Sequence, residues 1–575
     1  MKFQELIHYF ERLEATTKRL EMFEILAELF RKSNAEEADK IIYLSQGQLL
    51  PSFLGREIGM SEKLLMRALA GVRGIEPAEV EKVYKQTGDM GETSLRLLQG
   101  KGSQPTVKEI YQGLYDLSEI SGEGSVEKKI SGLRDLFAKV SPEEAKYLAR
   151  FVAGRLRLGV GDATVLEALA LAKVGREARE ELERAYNLCS DLGLVARTLF
   201  EKGLEGIRRI RVQVGYPIRM ALCERLSTAE EIIEKIGQCA VEPKYDGFRC
   251  QIHKRHDHIE IFSRNLERTT PMFPEIAEAT RRQFTAREAI FEGEALTYNE
   301  STGELLPFQI TIQRKRKHGV EELAKEFPLK LFAFELLYAD GSDYTAVPYS
   351  KRHETLNRLI RKDTVIEPAQ ILLTDNPKEL AHFFEEAVEK GLEGIVAKRL
   401  DAPYTAGARN FNWIKLKRSY KGELSDTIDV VVVGYFMGKG QRARFGIGTI
   451  LGAVYDEKSD AFKTVSKIGS GFSEEELTRL KAMLDEIRTP HKPVRLDSVM
   501  EPDVWVEPRY VVTVMADEIT RSPSHTAGKA GDEPGYALRF PRAQGFLRED
   551  KRPEDATTVK EIIELYRMQK HVKLQ

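Results

Sequence analysis

Residues 242–253 read EPKYDGFRCQIH. Lys244 stands two residues before Asp246-Gly247, and an apolar alternation follows. In a strand that alternation puts Phe248, Cys250 and Ile252 on one face and Arg249, Gln251 and His253 on the other. IEIFSRN (259–265) reads as a second strand. A turn centred on His256-Asp257 sets Arg249 opposite Arg264, both near the Lys244 end. Two guanidiniums aimed at one place suggest an anion between them, because the guanidinium fork matches phosphate. The alternative is two surface arginines on a sheet. Lys244 is then either half of a salt bridge or a nucleophile. A nucleophilic lysine must lose its proton, and a free one titrates near ~10.4. Nearby arginines and a divalent cation lower that value; carboxylates raise it.

The whole chain sets the frame for this hairpin. At 575 residues it is too long for one ordinary domain, and roughly three or four are expected. Lys+Arg 88 against Asp+Glu 90 leaves a net charge of -2. That is unlike a small basic nucleic-acid binder, but a large protein can segregate its charge into patches. Charged residues are 31%, above the usual ~25%, which suits heat adaptation through ion-pair networks. Cys189, Cys223, Cys239 and Cys250 are far apart and form no C-x-x-C pair. Neither a zinc site nor a disulfide framework is indicated, and a reducing, intracellular compartment is expected. The first thirty residues are amphipathic and carry acids throughout, so they read as a helix pair rather than a signal peptide. No run of about 18 apolar residues is present, and nothing is expected to span a membrane.

Three textures follow one another. Residues 1 to about 210 repeat apolar positions at spacings of three and four, as in MFEILAELF and EEAKYLARFVAG, and predict helices. From Val241 to about Tyr420 short alternating strands dominate, with helices expected at SKRHETLNRLIR and PKELAHFFEEAVEKG. Residues 427–546 carry short strands, IDVVVVGYF, GTILGAVYD and VWVEPRYVVTVMA, that suit a small antiparallel barrel. The tail TTVKEIIELYRMQKHVKL reads as helix.

Further constellations lie in the second and third textures. IFEGEALTYN (290–299) sets Glu292 and Glu294 on one strand face. Such a pair binds a metal or a ribose hydroxyl, or is a solvated face. Phe334, in LKLFAFELLYADG, is either a base-stacking ring or a core aromatic. In EKGLEGIVAKRLDAPYTAGARNFNWIKLKRSY, Glu393-Gly394 follows a helix and opens a strand that reaches Lys398. Arg409 lies in a Gly-Asn loop, and Lys415 and Lys417 share a face with Trp413. Alternate lysines bind polyphosphate better than they pack a core. LRFPRAQGFLREDKRPEDATT (538–558) adds Arg539, Arg542, Arg548, Lys551 and Arg552. These either meet an anion or form a basic surface loop.

Taken in order, KYDGFR, SRN, FEGEAL, FAFELLYADG, GLEGIVAK, WIKLK and RFPR...REDKRPEDATT resemble the ATP-dependent DNA ligases, a branch of the covalent nucleotidyltransferases. The likeness is to the archaeal and eukaryotic replicative type and covers nearly the whole chain. It implies an all-α N-terminal DNA-binding domain (1–215, including GRLRLGVGDATVLEALA). An α+β adenylation domain with antiparallel sheets (216–422) and a C-terminal OB-fold barrel with a final helix (423–575) would follow. It implies nick sealing in double-stranded DNA during replication, repair and recombination, with ATP and Mg2+. Lys244 would take AMP from ATP, pass it to the nick's 5′-phosphate, and see it expelled by the 3′-hydroxyl. The match gives Glu242 the adenine edge and Phe334 the adenine face. Arg249, Arg264, Arg409 and Lys415 would meet nucleotide oxygens, and Glu294 the ribose. Lys417 would meet the α-phosphate, and Glu393 with Glu294 the magnesium. Arg539, Arg542 and the REDK residues would orient the leaving pyrophosphate when the last domain closes about a hinge at SYKGELSDT (419–427).

Two departures stand out: Glu335 where the family usually has aspartate, and GYPIRMALCER without the usual proline. The loop LQGKGSQPTV lies where archaeal members can carry a sliding-clamp peptide, but it has no Gln plus paired-aromatic pattern, so a clamp partner is unsupported. A cytoplasmic, archaeal-like, DNA-associated monomer is the expectation. The alternatives are an RNA ligase or capping-type enzyme, which lacks so long a helical region before its lysine. An NAD-dependent ligase carries a four-cysteine zinc finger, and a non-enzymatic DNA clamp would have no use for the lysine.

Overall fold

The computed structural model describes residues 1–299, 305–306, 311, 314, 320–390, 392–417, 427–438, 445–531 and 533–572. The chain divides into two compact units. One comprises Met1–Tyr186 with Ser190–Ile210, the other Asn187–Cys189 with Arg211–Gln575.

The first unit is helical, as its periodicity predicts. Twelve α-helices run from Phe3–Glu14 to Leu192–Arg208. Their ends are written in the sequence. Thr106 with Glu109 and Ser141 with Glu144 form capping boxes, each satisfying donors that a first turn leaves open. Leu6, Leu26, Leu29, Ile41 and Leu69 are wholly buried. One ion cluster is set into this core. Arg150 donates to Asp89 at 3.0 Å and to Glu14 at 2.8 Å, and Lys146 bridges Glu14 and Glu92. In the GVGDAT turn, Asp162 accepts from Gln46 at 3.0 Å and from Tyr186 at 2.5 Å.

The second unit opens with two sheets. In the first, Leu222–Arg225 pairs with Arg409–Lys417, followed in order by Gly394–Arg399, Cys239–Lys244 and Leu372–Thr374. In the second, His258–Ser263, Phe248–Arg255, Glu288–Thr297 and Leu329–Ala339 lie side by side and antiparallel. Trp413 and Tyr404 meet Phe334, Ile290 and Leu337 in one apolar cluster, which joins the two sheets. The far face of the first sheet is covered by the helices Ala229–Ile236 and Pro377–Glu389, that of the second by Pro274–Gln283 and Tyr349–Leu359. The helices expected at SKRHETLNRLIR and PKELAHFFEEAVEKG therefore form there, as Tyr349–Leu359 and Pro377–Glu389.

Beyond them, Ile428–Phe436 is buried along nearly its whole length, with Val430 and Val432 in one cluster and Val431 and Val433 in another. It pairs with Thr449–Asp456, which pairs with Ala461–Ile468. A bridge from Ser470 to Arg542 leads to Arg542–Leu547, which pairs with Val511–Met515, and that strand returns to Ile428–Phe436. The strands thus close a ring of five. VWVEPRYVVTVMA is two strands, Val504–Val506 and Val511–Met515, rather than one. Pro508 lies between them and has no N–H to give a ladder. The tail forms the helix Val559–Val572. The expected hinge, apart from Thr427, lies outside the described residues. Among the described residues no helix is long and apolar enough to cross a membrane. Cys189, Cys239 and Cys250 are buried and Cys223 is half-buried.

Candidate active site

Lys244 ends a strand of the first sheet and Phe248 begins one of the second, so Tyr245-Asp246-Gly247 carry the chain between sheets. This crossing needs its glycine: a Cβ on Gly247 would stand 2.5 Å from the Ala295 carbonyl oxygen. Across the first sheet Lys244 pairs with Gly394, and Gly394 pairs with Lys417. Gly394 has φ +145, and a Cβ there would collide with the Leu416 carbonyl. The ladder brings three side chains together. Glu393 donates its amide to the Lys244 carbonyl at 3.1 Å. Its two carboxylate oxygens take one lysine each, Lys244 on Oε2 and Lys417 on Oε1.

Electrostatics follow from that geometry. Burial works to lower the pKa of Lys244, but the Glu393 carboxylate outweighs it and the net shift is upward. Burial works to raise Glu393, but Lys244 and Lys417 drive it well below the usual carboxylate range. Burial pushes Glu294 up to about 7, against Lys244 and Arg249, with Asp246 and Glu393 adding to the rise. Burial also raises Asp246, and Glu393 adds to it. Lys244 is therefore an ammonium in a ring of acids, and an incoming anion or cation must rearrange those partners before the amine is free.

The hairpin has the expected register, from Cys250 opposite Ser263 to Arg255 opposite His258. The ladder ends before the arginines meet, and each guanidinium has its own carboxylate. Arg249 donates to Glu292 and to the Ala221 carbonyl, both at 2.8 Å, and lies over the Phe334 and Trp413 rings. Arg264 faces Asp555 at 3.8 Å. An anion shared directly between them is not what their partners describe. Yet the Nε of each is buried and without a partner, and a buried N–H donor normally has one. Both sites thus keep a donor for an acceptor such as phosphate or ribose.

Glu292 is not a solvated residue. It is fully buried and accepts from Arg249, Gln251 at 3.0 Å and Tyr404 at 3.1 Å. Phe334 is 9% exposed and packs edge-on against Trp413. Arg409 opens the strand Arg409–Lys417 instead of lying in a loop. It donates to the Cys223 carbonyl at 3.1 Å, to Glu457 at 3.2 Å and to Glu561 at 3.2 Å. Lys415 reaches the same Glu561 at 2.5 Å. Two of the expected anion-binding cations thus converge on a carboxylate of the C-terminal helix. Arg548 forks onto Asp550 and acts on the charge of Asp246; Lys551 pairs with Asp429, and Arg552 with Asp555 at 3.3 Å. Arg539 and Arg542 instead bind Thr520 at 2.7 Å and Asp517 at 2.8 Å, within their own domain.

Sequence reasoning did not single out Glu561, Tyr349 or the buried fork between Glu335 and Arg352, at 2.7 and 3.0 Å. Only Glu561 had a local signal: Thr558-x-x-Glu561 is a capping box. Among the described residues no group of three His, Cys, Asp or Glu side chains could hold a metal alone. A pair of carboxylates suits magnesium, which keeps several waters and takes one or two carboxylates beside substrate phosphates. Glu294 and Glu393, close enough to act on each other's charge, are such a pair.

A lysine at a strand end, bordered by cations and by carboxylates suited to a hard metal, defines a site for phosphoryl-group transfer through an amine. Residues 220–417 match the family model of the ATP dependent DNA ligase domain, residues 2–170 that of the DNA ligase N terminus, and residues 443–551 that of the ATP dependent DNA ligase C terminal region. A protein of Dictyoglomus thermophilum described as a probable DNA ligase is 55% identical, over 100% of this chain and 99% of its own. A DNA ligase of Saccharolobus solfataricus is 43% identical over 100% and 99%. Among solved structures, a mycobacterial DNA ligase D complexed with ATP and MES is 24% identical over 59% of this chain and 98% of its own, with TM-score 0.34. The chain belongs to the ATP-dependent DNA ligase family. Enzymes of this family seal nicked DNA through an adenylate intermediate, using ATP and Mg2+, and serve replication and repair.

Proposed function

We propose that Lys244 is the residue adenylated. Its neutral amine attacks the α-phosphorus of ATP; the bond to the β-phosphate oxygen breaks, and pyrophosphate leaves. AMP then passes to the 5′-phosphate of a nick in double-stranded DNA, and the 3′-hydroxyl displaces it. The observation that supports this reading best is the single carboxylate of Glu393 held between Lys244 and Lys417. A phosphate that takes Lys417 from Glu393 leaves that carboxylate for a cation and lowers the local negative charge that keeps Lys244 protonated. When bound at Glu294 and Glu393, Mg2+ supplies positive charge against the triphosphate oxygens. Arg249 and Arg264 offer their unpartnered Nε donors to nucleotide oxygens, Arg409 and Lys415 add charge, and Glu294 takes the ribose. Phe334 lies under the base, with Glu242 at its edge. Arg548 and Lys551 meet the leaving pyrophosphate, with Arg539 and Arg542 joining on closure.

The domains in this reading are residues 1–215 for DNA, 216–422 for adenylation and 423–575 for the closing barrel. The compact helical unit that ends near Ile210 supports the first boundary. The five-strand ring supports an OB-fold for the last. The enzyme works as a cytoplasmic monomer without a clamp motif. Incubation with α-labelled ATP tests the assignment: the native chain takes up label without DNA, and Lys244→Ala takes up none. GTP labelling at Lys244 in preference to ATP would favour a capping-type enzyme.

A further inference from the structure

The ammonium of Lys398 is buried in a site for which the reaction above has no use. Lys398 is 1% exposed, on the strand Gly394–Arg399. Its Nζ lies 4.3 Å from the centroid of Trp413, 4.7 Å from that of Phe334 and 4.9 Å from that of Tyr349. Among the described residues it donates to the Oε1 of Glu242 at 2.8 Å and to the backbone carbonyl of Phe334 at 3.0 Å. The Tyr349 hydroxyl donates to the same Oε1. Both contacts fall on one oxygen, which leaves Oε2 outside them. A charge buried this deeply is retained at a cost of several kcal/mol unless it is well paired. Here its pairing ties together the two residues assigned to the base, one at its edge and one under its face.

We infer that Lys398, with Tyr349, is the positioning pair that sets base selectivity: it holds the Glu242 carboxylate turned so that Oε2 accepts from the exocyclic amine of adenine. The chemistry of the two purines makes the choice. Adenine presents an N–H donor at its C6 substituent, and guanine a carbonyl acceptor. A fixed carboxylate therefore bonds the first and repels the second. Sites that bond a substrate donor reject analogues without it far more strongly than apolar pockets do. Lys398 touches no reacting atom and acts through Glu242 and the Phe334 backbone. Without it, the carboxylate is no longer anchored and the Phe334 strand loses its tie.

This inference rests on the placing of Glu242 at the base edge, and the experiment separates the two. Self-adenylation rates are measured over a range of ATP, GTP and purine riboside triphosphate, which lacks the C6 amine, for the native enzyme, Glu242→Gln, Lys398→Met and Tyr349→Phe. Thermal unfolding of each variant checks its fold. Lys398→Met keeps the length of the stem and fills the aromatic cage. The native enzyme should prefer ATP to both analogues. Lys398→Met should lose about tenfold or more of that preference, as a rise in KM for ATP larger than any fall in kcat. Tyr349→Phe, which removes one hydroxyl, should move the same way by a smaller factor. A merely structural lysine would lower rates with all three nucleotides alike and leave their ratios intact; that result overturns the inference. Should Lys398→Met not fold, unchanged ratios in Tyr349→Phe overturn it instead. If Glu242→Gln itself leaves the ratios intact, the base-edge reading falls, and this inference with it.

Discussion

Lys244 was legible as a residue out of the ordinary, because K-x-D-G at a strand mouth places an amine beside an acid and a forced turn. Its partners were legible in part. Strand alternation gave the face of Arg249 and the side on which Lys415 and Lys417 lie, since that depends only on a period of two. Which carboxylate each cation meets depends on neighbouring strands and could not be read locally. Arg249 went to Glu292 rather than to a shared anion, and Lys398 to Glu242 across the sheet. The glycines are sharper than their motif suggests. Gly394→Ala should destabilise the adenylation region by about 1–3 kcal/mol, the range for a residue held at a sparsely populated φ/ψ, and lower the rate of label uptake from ATP. A denaturant midpoint equal to that of the native enzyme would contradict the clash.

At the scale of elements, helices and strands were found where periodicity put them, while their ends and pairings were not all foreseen. Pro508 split one expected strand, and Arg409 moved from loop to strand when Leu222 paired with it. The C-terminal helix was legible as a helix, but not as the source of a carboxylate for Arg409 and Lys415. Glu561→Gln should weaken that contact and, by removing the carboxylate that Arg409 and Lys415 share, strengthen binding of ATP at low salt. Nucleotide titration by fluorescence reads this directly, and an unchanged or weaker affinity would contradict it. The barrel has its own acid-sensitive tie. Burial would raise Asp429, but Lys551, Arg548 and Thr513 hold it at about 2, below its ordinary 3.8. A carboxylate depressed in the fold stabilises in full above its unfolded pKa and loses that contribution as pH falls through the folded value. Asp429→Asn should therefore cost about 2 kcal/mol at neutral pH, with the difference from the native enzyme shrinking between pH 3.8 and about 2. A pH-independent difference would place the effect elsewhere.

For the whole molecule, bulk charge carried no message: a net charge of -2 hid cations gathered around Lys244 and along the C-terminal strands. The three textures, by contrast, were plain, because helices and strands differ in period wherever they are long. Contacts between distant stretches of the second unit were not, since they rest on ion pairs between residues hundreds of positions apart, such as Lys560 with Glu224 at 2.5 Å. A ligase that holds DNA mainly by its phosphates should bind nicked duplex more weakly as salt rises, with a linear fall of log affinity against log salt. A salt-independent affinity would contradict backbone recognition. The central claim is that one amine, that of Lys244, carries AMP. Incubation with ATP and Mg2+ in the absence of DNA, followed by proteolysis and mass mapping, tests it most directly. The added mass of AMP should appear on the peptide containing Lys244 and disappear on addition of nicked DNA. Adduct on Lys415 or Lys417 instead, or nick sealing by Lys244→Ala at the native rate, would contradict it.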